Sequence, residues 1–486
     1  MRTIGFNLSF WAVAGLLFTG CAVGPDYKRP IIKSPPVFRD SMEMTATNSV
    51  ADLPWWAVFK DPALQDLIQV ALTNNYDLNI TLARVDQARA LQAQARSQFF
   101  PEIDYRGDAA RGRNSFLGQP SPGGGSTMNN FLGGFEAFWE IDLWGRVRRM
   151  NEAARATFMA TKEGRRAVQI SIISDVAKSY FELLELDQQL AIGTRTRDSY
   201  ERTFKLFSDQ HSGGLGSKLE VSRANLALRS VAATIPEIQR QIALKENEIN
   251  LLLGQNPGPV ARTSTLLAQE VSIDIPVGLP STLLERRPDI RAAEQQLRAA
   301  NARIGVAVGD FFPRVGLTAF YGGASAELND LVKSSANTWS LAASAAGPLF
   351  TGGRLTGRYR QAKAAAEEAL LQYQQTTLNA FREVSDALIS RRRFEEGRLE
   401  QAQAVAAGRE AVDTAMIRYK EGKASYYEVL EAQQQLYPAE NALSRVEAGR
   451  RLAFVQLYKA LGGGWSLDES ESFAMAASRK GGDNGK

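Results

Sequence analysis

The 486-residue chain has one cysteine, Cys21, and one histidine, His211. A single thiol excludes any disulfide within the chain. The histidine lies in the polar stretch Asp209-Gln210-His211-Ser212-Gly213 and reads as a surface loop residue. No metal cluster and no nucleophile elbow appears in the sequence. A phosphate loop is missing too. Gly123-Gly124-Gly125 lacks the Lys-Ser or Lys-Thr that must follow, so it reads as a flexible turn. The formal charge is only +4, falling to +3 without the N-terminal segment whose one charge is Arg2. That is too mild to argue for nucleic acid, there is no basic run with interleaved aromatics, and no nucleic-acid partner is expected. No apolar run of transmembrane-helix length follows residue 20. If the mature chain crosses a membrane it must do so as a β-barrel, because only helices and closed barrels satisfy the backbone in lipid. These absences nominate no catalytic, metal-ligating or cofactor-binding residue, and the chain reads as a non-enzyme.

What is present begins at the N-terminus. Met1-Arg2, an apolar run from Ile4 to Phe18 and the small residues Thr19-Gly20 precede Cys21. This is the layout of a bacterial lipoprotein signal, with Phe18 standing where leucine is commoner. Residues 1–20 are read as a signal peptide and Cys21 as the attachment point of diacylglycerol and an N-acyl chain. Residues 21–60 then form a lipid-anchored segment. With Ala22 rather than Asp after the cysteine, the expected bacterial sorting is to the outer membrane.

The rest of the chain is written twice. Asp77-Leu78 through Phe99-Phe100-Pro101 matches Asp289-Ile290 through Phe311-Phe312-Pro313 without a gap. Gly214, Ser217, Glu220-Val221 and Ala224 fall against Gly422, Ser425, Glu428-Val429 and Ala432, and Gly254 against Gly462. The repeats are assigned to residues 61–270 and 271–465, with a polar tail at 466–486. Each begins with an Ala/Gln/Arg-rich helix, about 61–98 and 281–310, that Phe-Phe-Pro breaks.

After each break the period changes to two. Ile103, Tyr105, Gly107 and Ala109 alternate with Glu102, Asp104, Arg106 and Asp108; the return strand sets Phe135, Ala137, Trp139, Ile141 and Leu143 against Glu136, Phe138, Glu140 and Asp142. Strands are expected at about 102–114 and 131–143 in the first repeat, and at about 314–322 and 338–347 in the second. One face is apolar and aromatic and the other largely polar or small, which suits a membrane barrel with a wet lumen. Four strands cannot close a channel, so several chains must share one barrel.

Long helical patterns follow at about 146–210 and 354–420. Ile170, Ile173, Ala177, Tyr180 and Leu184 step by 3 and 4, as do Leu370, Tyr373, Thr377, Phe381, Val384 and Leu388. This is a coiled-coil rhythm. At about 1.5 Å per residue each helix is about 100 Å long. Glycine turns at Gly213-Gly214 and Gly422 end them, and shorter helices return over about 217–253 and 425–461, with kinks expected at Pro236 and Pro438.

The chain resembles the TolC-like outer membrane factors, in particular the lipoprotein branch serving drug-efflux systems. The residues that carry the resemblance are Cys21-Ala22-Val23-Gly24-Pro25-Asp26-Tyr27 with Pro30, Trp55-Trp56, Asp142-Leu143-Trp144-Gly145-Arg146, Leu283-Leu284-Glu285-Arg286-Arg287-Pro288-Asp289-Ile290 and Leu349-Phe350-Thr351-Gly352-Gly353. The resemblance implies a mainly α protein with a small β part. It implies a homotrimer in which each protomer gives four strands to a shared twelve-stranded outer membrane barrel, above a coiled-coil α-barrel in the periplasm. The mixed region near residues 266–280 is expected to belt that tube. The family has no catalysis and no cofactor. Its partners are a periplasmic adaptor (membrane fusion) protein, an inner membrane efflux pump and outer membrane lipid.

The same resemblance locates a periplasmic gate. Gly214 and Gly422 are expected at the tip turns that contact the adaptor. Glu428 and Glu431, one helical turn apart, match the family's ring carboxylates. Tyr419 and Glu220 match two members of its locking network. The third member, an arginine in the best-known relatives, is Ala424 here, beside Lys423. An acidic ring favours cations and is blocked by multivalent ones. The strand carboxylates Glu102, Asp104, Asp108, Glu136, Glu140 and Asp142 are expected to add an acidic upper pore, giving a cation-preferring channel. The leading reading is an efflux exit duct. The alternatives are the channel of a type I protein secretion system and a non-pore, lipid-anchored coiled-coil adaptor.

Overall fold

The computed structural model describes residues 22–39, 53–113, 115–116, 119–120, 127–269 and 283–463. In chain order the helices are α1 (Trp55–Val58), α2 (Pro62–Asn74), α3 (Tyr76–Ser97), α4 (Arg146–Ser212), α5 (Lys218–Leu252), α6 (Leu283–Arg286), α7 (Pro288–Gly309), α8 (Arg354–Lys420) and α9 (Tyr426–Ala460). The strands are β1 (Glu102–Arg113), the short β2 (Ser115–Phe116) and β3 (Gln119–Pro120), β4 (Thr127–Ile141), β5 (Arg314–Ser325) and β6 (Asn337–Ala346). The protein is mainly helical with a small sheet. Among the described residues no helix is long and apolar enough to cross a membrane.

The helices depart from the sequence reading at the start of each repeat. The segment expected as one helix over 61–98 is two, because Asn75 leaves the helical conformation (φ −59°, ψ 128°) and its side chain accepts from Leu78 N to cap α3. The segment over 281–310 divides likewise at Arg287, the residue before Pro288, where a following proline disfavours helical backbone. α5 and α9 hold Pro236 and Pro438 as interior residues. Ile235 and Ile238, flanking the first proline, are buried, and that packing offsets the lost backbone hydrogen bond.

Two compact units emerge. The first comprises Met1–Ile31, Arg84–Lys162 and Ala292–Gln374. Its sheet is antiparallel in the order β1-β4-β5-β6. The register aligns Tyr105, Phe135, Tyr321 and Trp339 in one row across the four strands, with Ile103, Ala137, Ala319 and Leu341 in the next row on that face. The opposite face carries Asp104, Glu136, Phe320 and Ser340 in register. At the junctions Phe99 and Phe311 donate backwards to Arg96 O and Val308 O, and Pro101 and Pro313, lacking an N–H, cannot extend the turn. Trp144 stacks on Phe312 at 4.8 Å and donates from Nε1 to Pro313 O.

The N-terminal segment is strapped along α4 and α7 in this unit. Val23 N donates to Trp144 O. Arg149 donates to Val23 O, Gly24 O and Asp26 Oδ1. Asn301 donates to Pro25 O, and Tyr27 OH to Glu294 Oε1 at 3.2 Å. Gly24 sits at φ +95°, and a Cβ there would lie 2.5 Å from Gly305 Cα. The Val-Gly-Pro-Asp-Tyr run is therefore a docking sequence in which each residue has a defined seat. Cys21 itself lies outside the described residues.

The second unit comprises Ile32–Ala83, Glu163–Arg291 and Gln375–Lys486. Its main core packs Leu64 and Ile68 of α2 with Ile173, Val176, Tyr180 and Leu184 of α4, Ile249 of α5, Val384 of α8 and Val455 of α9. Buried Asp61 caps α2 through Ala63 N and Leu64 N and also accepts from Tyr180 OH, Thr263 and Gln269. Arg287 explains the Arg-Arg-Pro-Asp motif. Buried, it forks onto Asp289, reaches Glu383 at 2.8 Å and donates to Ala460 O at 2.8 Å, tying the start of α7 to the end of α9.

Candidate functional site

The candidate site lies in the second unit, where α4 turns into α5 and α8 into α9. Both turns are built the same way. Gly214 (φ +78°) donates to His211 O while Leu215 N donates to Gln210 O. Gly422 (φ +72°) donates to Tyr419 O while Lys423 N donates to Arg418 O. Each is a Schellman stop, and the left-handed backbone at its centre requires glycine. Nothing lies within 4 Å of a Cβ placed on either glycine, so conformation rather than space selects the residue.

Behind the turns an apolar cluster joins the four helices. Phe207 of α4, Ala227, Leu228 and Val231 of α5, Ala415 of α8, and Tyr426, Val429 and Leu430 of α9 are buried together. Tyr419, Tyr426 and Phe207 form an aromatic triad, with centroids 5.3 Å apart for the two tyrosines and 4.3 Å for Tyr426 and Phe207. Tyr426 OH donates to Thr203 Oγ1 at 2.8 Å. Burial pushes the Tyr426 phenol up to about 12, and that of Tyr200 likewise. The Tyr426 hydroxyl therefore stays a donor at any physiological pH.

A polar seam extends from this triad. Along α8 and α9, Tyr419, Tyr426, Gln433 and Glu440 recur every seven residues, and each meets α4: Gln210 donates to Tyr419 OH, Tyr426 to Thr203, Gln433 to Ser199, and Arg195 to Glu440. Arg409 of α8 also grips Glu440, at 2.9 Å, so one buried carboxylate holds two guanidinium groups. The sequence reading reached Tyr419 and missed the rest. The heptad of polar residues in α9 was the available signal, since a coiled-coil seam ordinarily places apolar residues there.

The expected gate residues do not all come together. Glu428 and Glu431 are exposed on α9. Glu428 lies 3.8 Å from Arg418, and Glu431 has no ion pair among the described residues. Tyr419 joins the triad. Glu220 bonds to neither tyrosine. Its carboxylate instead accepts from Ser217 N at 2.9 Å, while Ser217 Oγ accepts from Leu219 N, closing a capping box at the start of α5. Ala424 is half-buried and Lys423 pairs with Glu421 at 2.8 Å.

The strand carboxylates of the first unit also divide. Asp142 accepts from Val147 N and Arg148 N, so it caps α4, and it pairs with Arg148. Glu140 is gripped by Arg146 at 2.8 Å and 3.0 Å. Arg106 pairs with Asp108 and lies 3.9 Å from Glu136. Of the six acidic residues expected in an upper pore, Glu102 and Asp104 alone have no cationic partner among the described residues. The sheet therefore carries far less unbalanced negative charge than the sequence suggests. No group of His, Cys, Asp or Glu able to hold a metal occurs among the described residues.

Comparison with known proteins places this architecture. The family model for outer membrane efflux proteins matches residues 67–255 and 279–463. The solvent efflux pump outer membrane protein SrpC of Pseudomonas putida is 35% identical over 465 residues, covering 94% of this chain and 98% of that protein. The cation efflux system protein CusC of Escherichia coli (strain K12) is 32% identical over 452 residues, covering 92% and 97%. Among solved structures, the outer-membrane channel OprN superposes with a TM-score of 0.84 at 31% identity, covering 92% of this chain and 100% of that one. The open state of the Neisseria gonorrhoeae MtrE outer membrane channel gives 0.84 at 29% identity, covering 92% and 99%. Matched along both halves and by fold, the chain belongs to the outer membrane efflux protein family.

Proposed function

We propose that this protein is the outer membrane exit duct of a tripartite efflux system, passing small molecules outward without catalysis. The observation that carries the reading is the four-stranded antiparallel sheet with β1 and β6 at its edges. An open edge is a row of unpaired backbone groups, which lipid cannot satisfy. Because each copy contributes an even number of strands, β6 of one copy runs antiparallel to β1 of the next, and copies close into one barrel with no edge left. Three copies give the twelve strands the family resemblance implies. The row Tyr105, Phe135, Tyr321 and Trp339 then supplies an aromatic girdle facing lipid. Exposed leucines at heptad spacing, Leu219 and Leu226 on α5 and Leu371 and Leu378 on α8, are suited to packing between copies. The identical Schellman stops at Gly214 and Gly422, and the two matched stretches of the family model, support a chain built from two copies of one unit.

In this reading Glu428 and Glu431 from each copy ring the periplasmic end, with Tyr419 holding the helices closed through the triad. Glu220 acts as a cap that shapes the neighbouring turn. Gly214 and Gly422 present the turns to a periplasmic adaptor, which connects the duct to an inner membrane pump. Acyl chains on Cys21 tether the strap beside the barrel. The relatives' names span solvent and cation efflux, consistent with a duct that leaves substrate choice to the pump.

The test is a deletion strain challenged with a panel of antibiotics, solvents and metal cations, complemented by the intact gene, with membranes analysed for a heat-sensitive trimer. Hypersensitivity restored by complementation is expected. An unchanged panel together with a monomeric, detergent-independent protein would contradict the proposal.

A further inference from the structure

The two hairpins carry the same Ser-x-x-Glu spacing at the start of their return helices, Ser217 to Glu220 and Ser425 to Glu428. Their backbones are alike there: Ser217 has φ −84° and ψ 141°, Ser425 has φ −77° and ψ 153°. The turns before them are the same Schellman stop. Yet only the first capping box is closed. Glu220 folds back onto Ser217 N, whereas Ser425 makes no side-chain cap and Glu428 extends toward Arg418. The difference lies in the partner rather than in the backbone, because Arg418 offers Glu428 a competing site one turn back on α8.

We infer that Glu428 has two positions. Extended and held by Arg418, it presents its charge at the tip. Folded back onto Ser425 N, it caps α9 and withdraws that charge. This inference rests on the gate reading of Glu428 and goes beyond it by naming Arg418 as the positioning residue and the Ser425 amide as the alternative seat. The energies make the positions close rivals. An exposed ion pair and a side-chain cap at a helix start are of comparable strength. Crowding of like charges around a ring favours folding back, and a multivalent cation at the ring favours extension.

The experiment is block of single-channel current by hexaamminecobalt(III), added at the periplasmic face of the purified trimer in planar bilayers. Arg418→Gln releases Glu428 to fold back, so block weakens about threefold, as the extended share falls from near one half to about one sixth. Simple Coulomb attraction predicts the reverse, since a nearby positive charge has been lost. Adding Ser425→Pro removes the backbone N–H at a φ that proline accepts, so R418Q/S425P regains at least the original block. Glu428→Asp, too short to reach back, restores block in the R418Q background by an independent route. Tighter block in R418Q, or failure of both rescues in trimers that assemble normally, overturns the inference. Glu428→Gln separates the two readings: if it leaves block unchanged, the gate assignment of Glu428 fails as well.

Discussion

Tyr426→Phe removes one buried hydroxyl from the turn region. The ring stays, and with it the edge contacts to Phe207 at 4.3 Å and Tyr419 at 5.3 Å. What is lost is the 2.8 Å hydrogen bond to Thr203 between two buried side chains, with a longer 3.5 Å contact to Gln433 Oε1. Removing one partner of a buried pair costs about 1–3 kcal/mol. Thr203 can turn its hydroxyl to a carbonyl of its own helix, so the lower end, about 1–2 kcal/mol, applies. If the α4–α9 seam must part when the tip opens, the whole cost falls on the closed state. The open-to-closed ratio then rises about 5- to 30-fold. Planar-bilayer recordings of open probability measure this directly, and entry of a large hydrophilic dye into cells gives a second readout. Thr203→Val should shift the ratio in the same direction but by less, since Tyr426 OH keeps Gln433 Oε1, and the double variant should add little to Tyr426→Phe. A trimer whose thermal stability falls by the expected amount while open probability stays unchanged would refute the reasoning, because the bond would then persist in both states.

Three further outcomes follow from single contacts. Gly422→Ala forces a Cβ into a left-handed backbone with free space around it, so destabilisation of about 1–2 kcal/mol is expected from conformation alone, read as a lower thermal midpoint. Asp142→Ala strips the cap from Val147 N and Arg148 N and should cost about 1–2 kcal/mol in trimer stability, with little change in the reversal potential, since Asp142 is a structural rather than a pore charge. Cys21→Ser with a cleavable signal should leave much of the channel function in place, because the strap remains seated on α4 and α7. Loss of all correctly exported trimer would show that the tether is required for assembly.

The sequence carried the architecture further than the site. Alternation identified the aromatic face that Tyr105, Phe135, Tyr321 and Trp339 share, since side chains of a strand point to opposite faces by turns. Their alignment into one row depends on register, which alternation leaves open. Asp142 and Glu140 fell on the same parity as Glu136 and so read as pore charges. Their actual partners, the α4 amides and Arg146, are reached across the Gly145 turn. Asn75 interrupts a helix whose composition is continuous on both sides, and its caps come from a side chain rather than from a breaker residue. At the tip, glycine marked both turns because a positive φ excludes most other residues. The roles of Thr203, Gln433 and Glu440 depended on contacts between helices more than 200 residues apart in sequence for the Thr203 and Gln433 pairs. The closed capping box at Glu220 and the open one at Glu428 share the Ser-x-x-Glu spacing, so the spacing alone does not tell them apart.

The most direct test of the central claim is the current through purified protein reconstituted in planar bilayers under asymmetric salt. Discrete conductance steps from a heat-sensitive trimer are expected, with a cation-preferring reversal potential and loss of that preference in the Glu428→Gln/Glu431→Gln double variant. Assembled trimers that never conduct, or that conduct with an anion-selective reversal potential indifferent to Glu428 and Glu431, would contradict it.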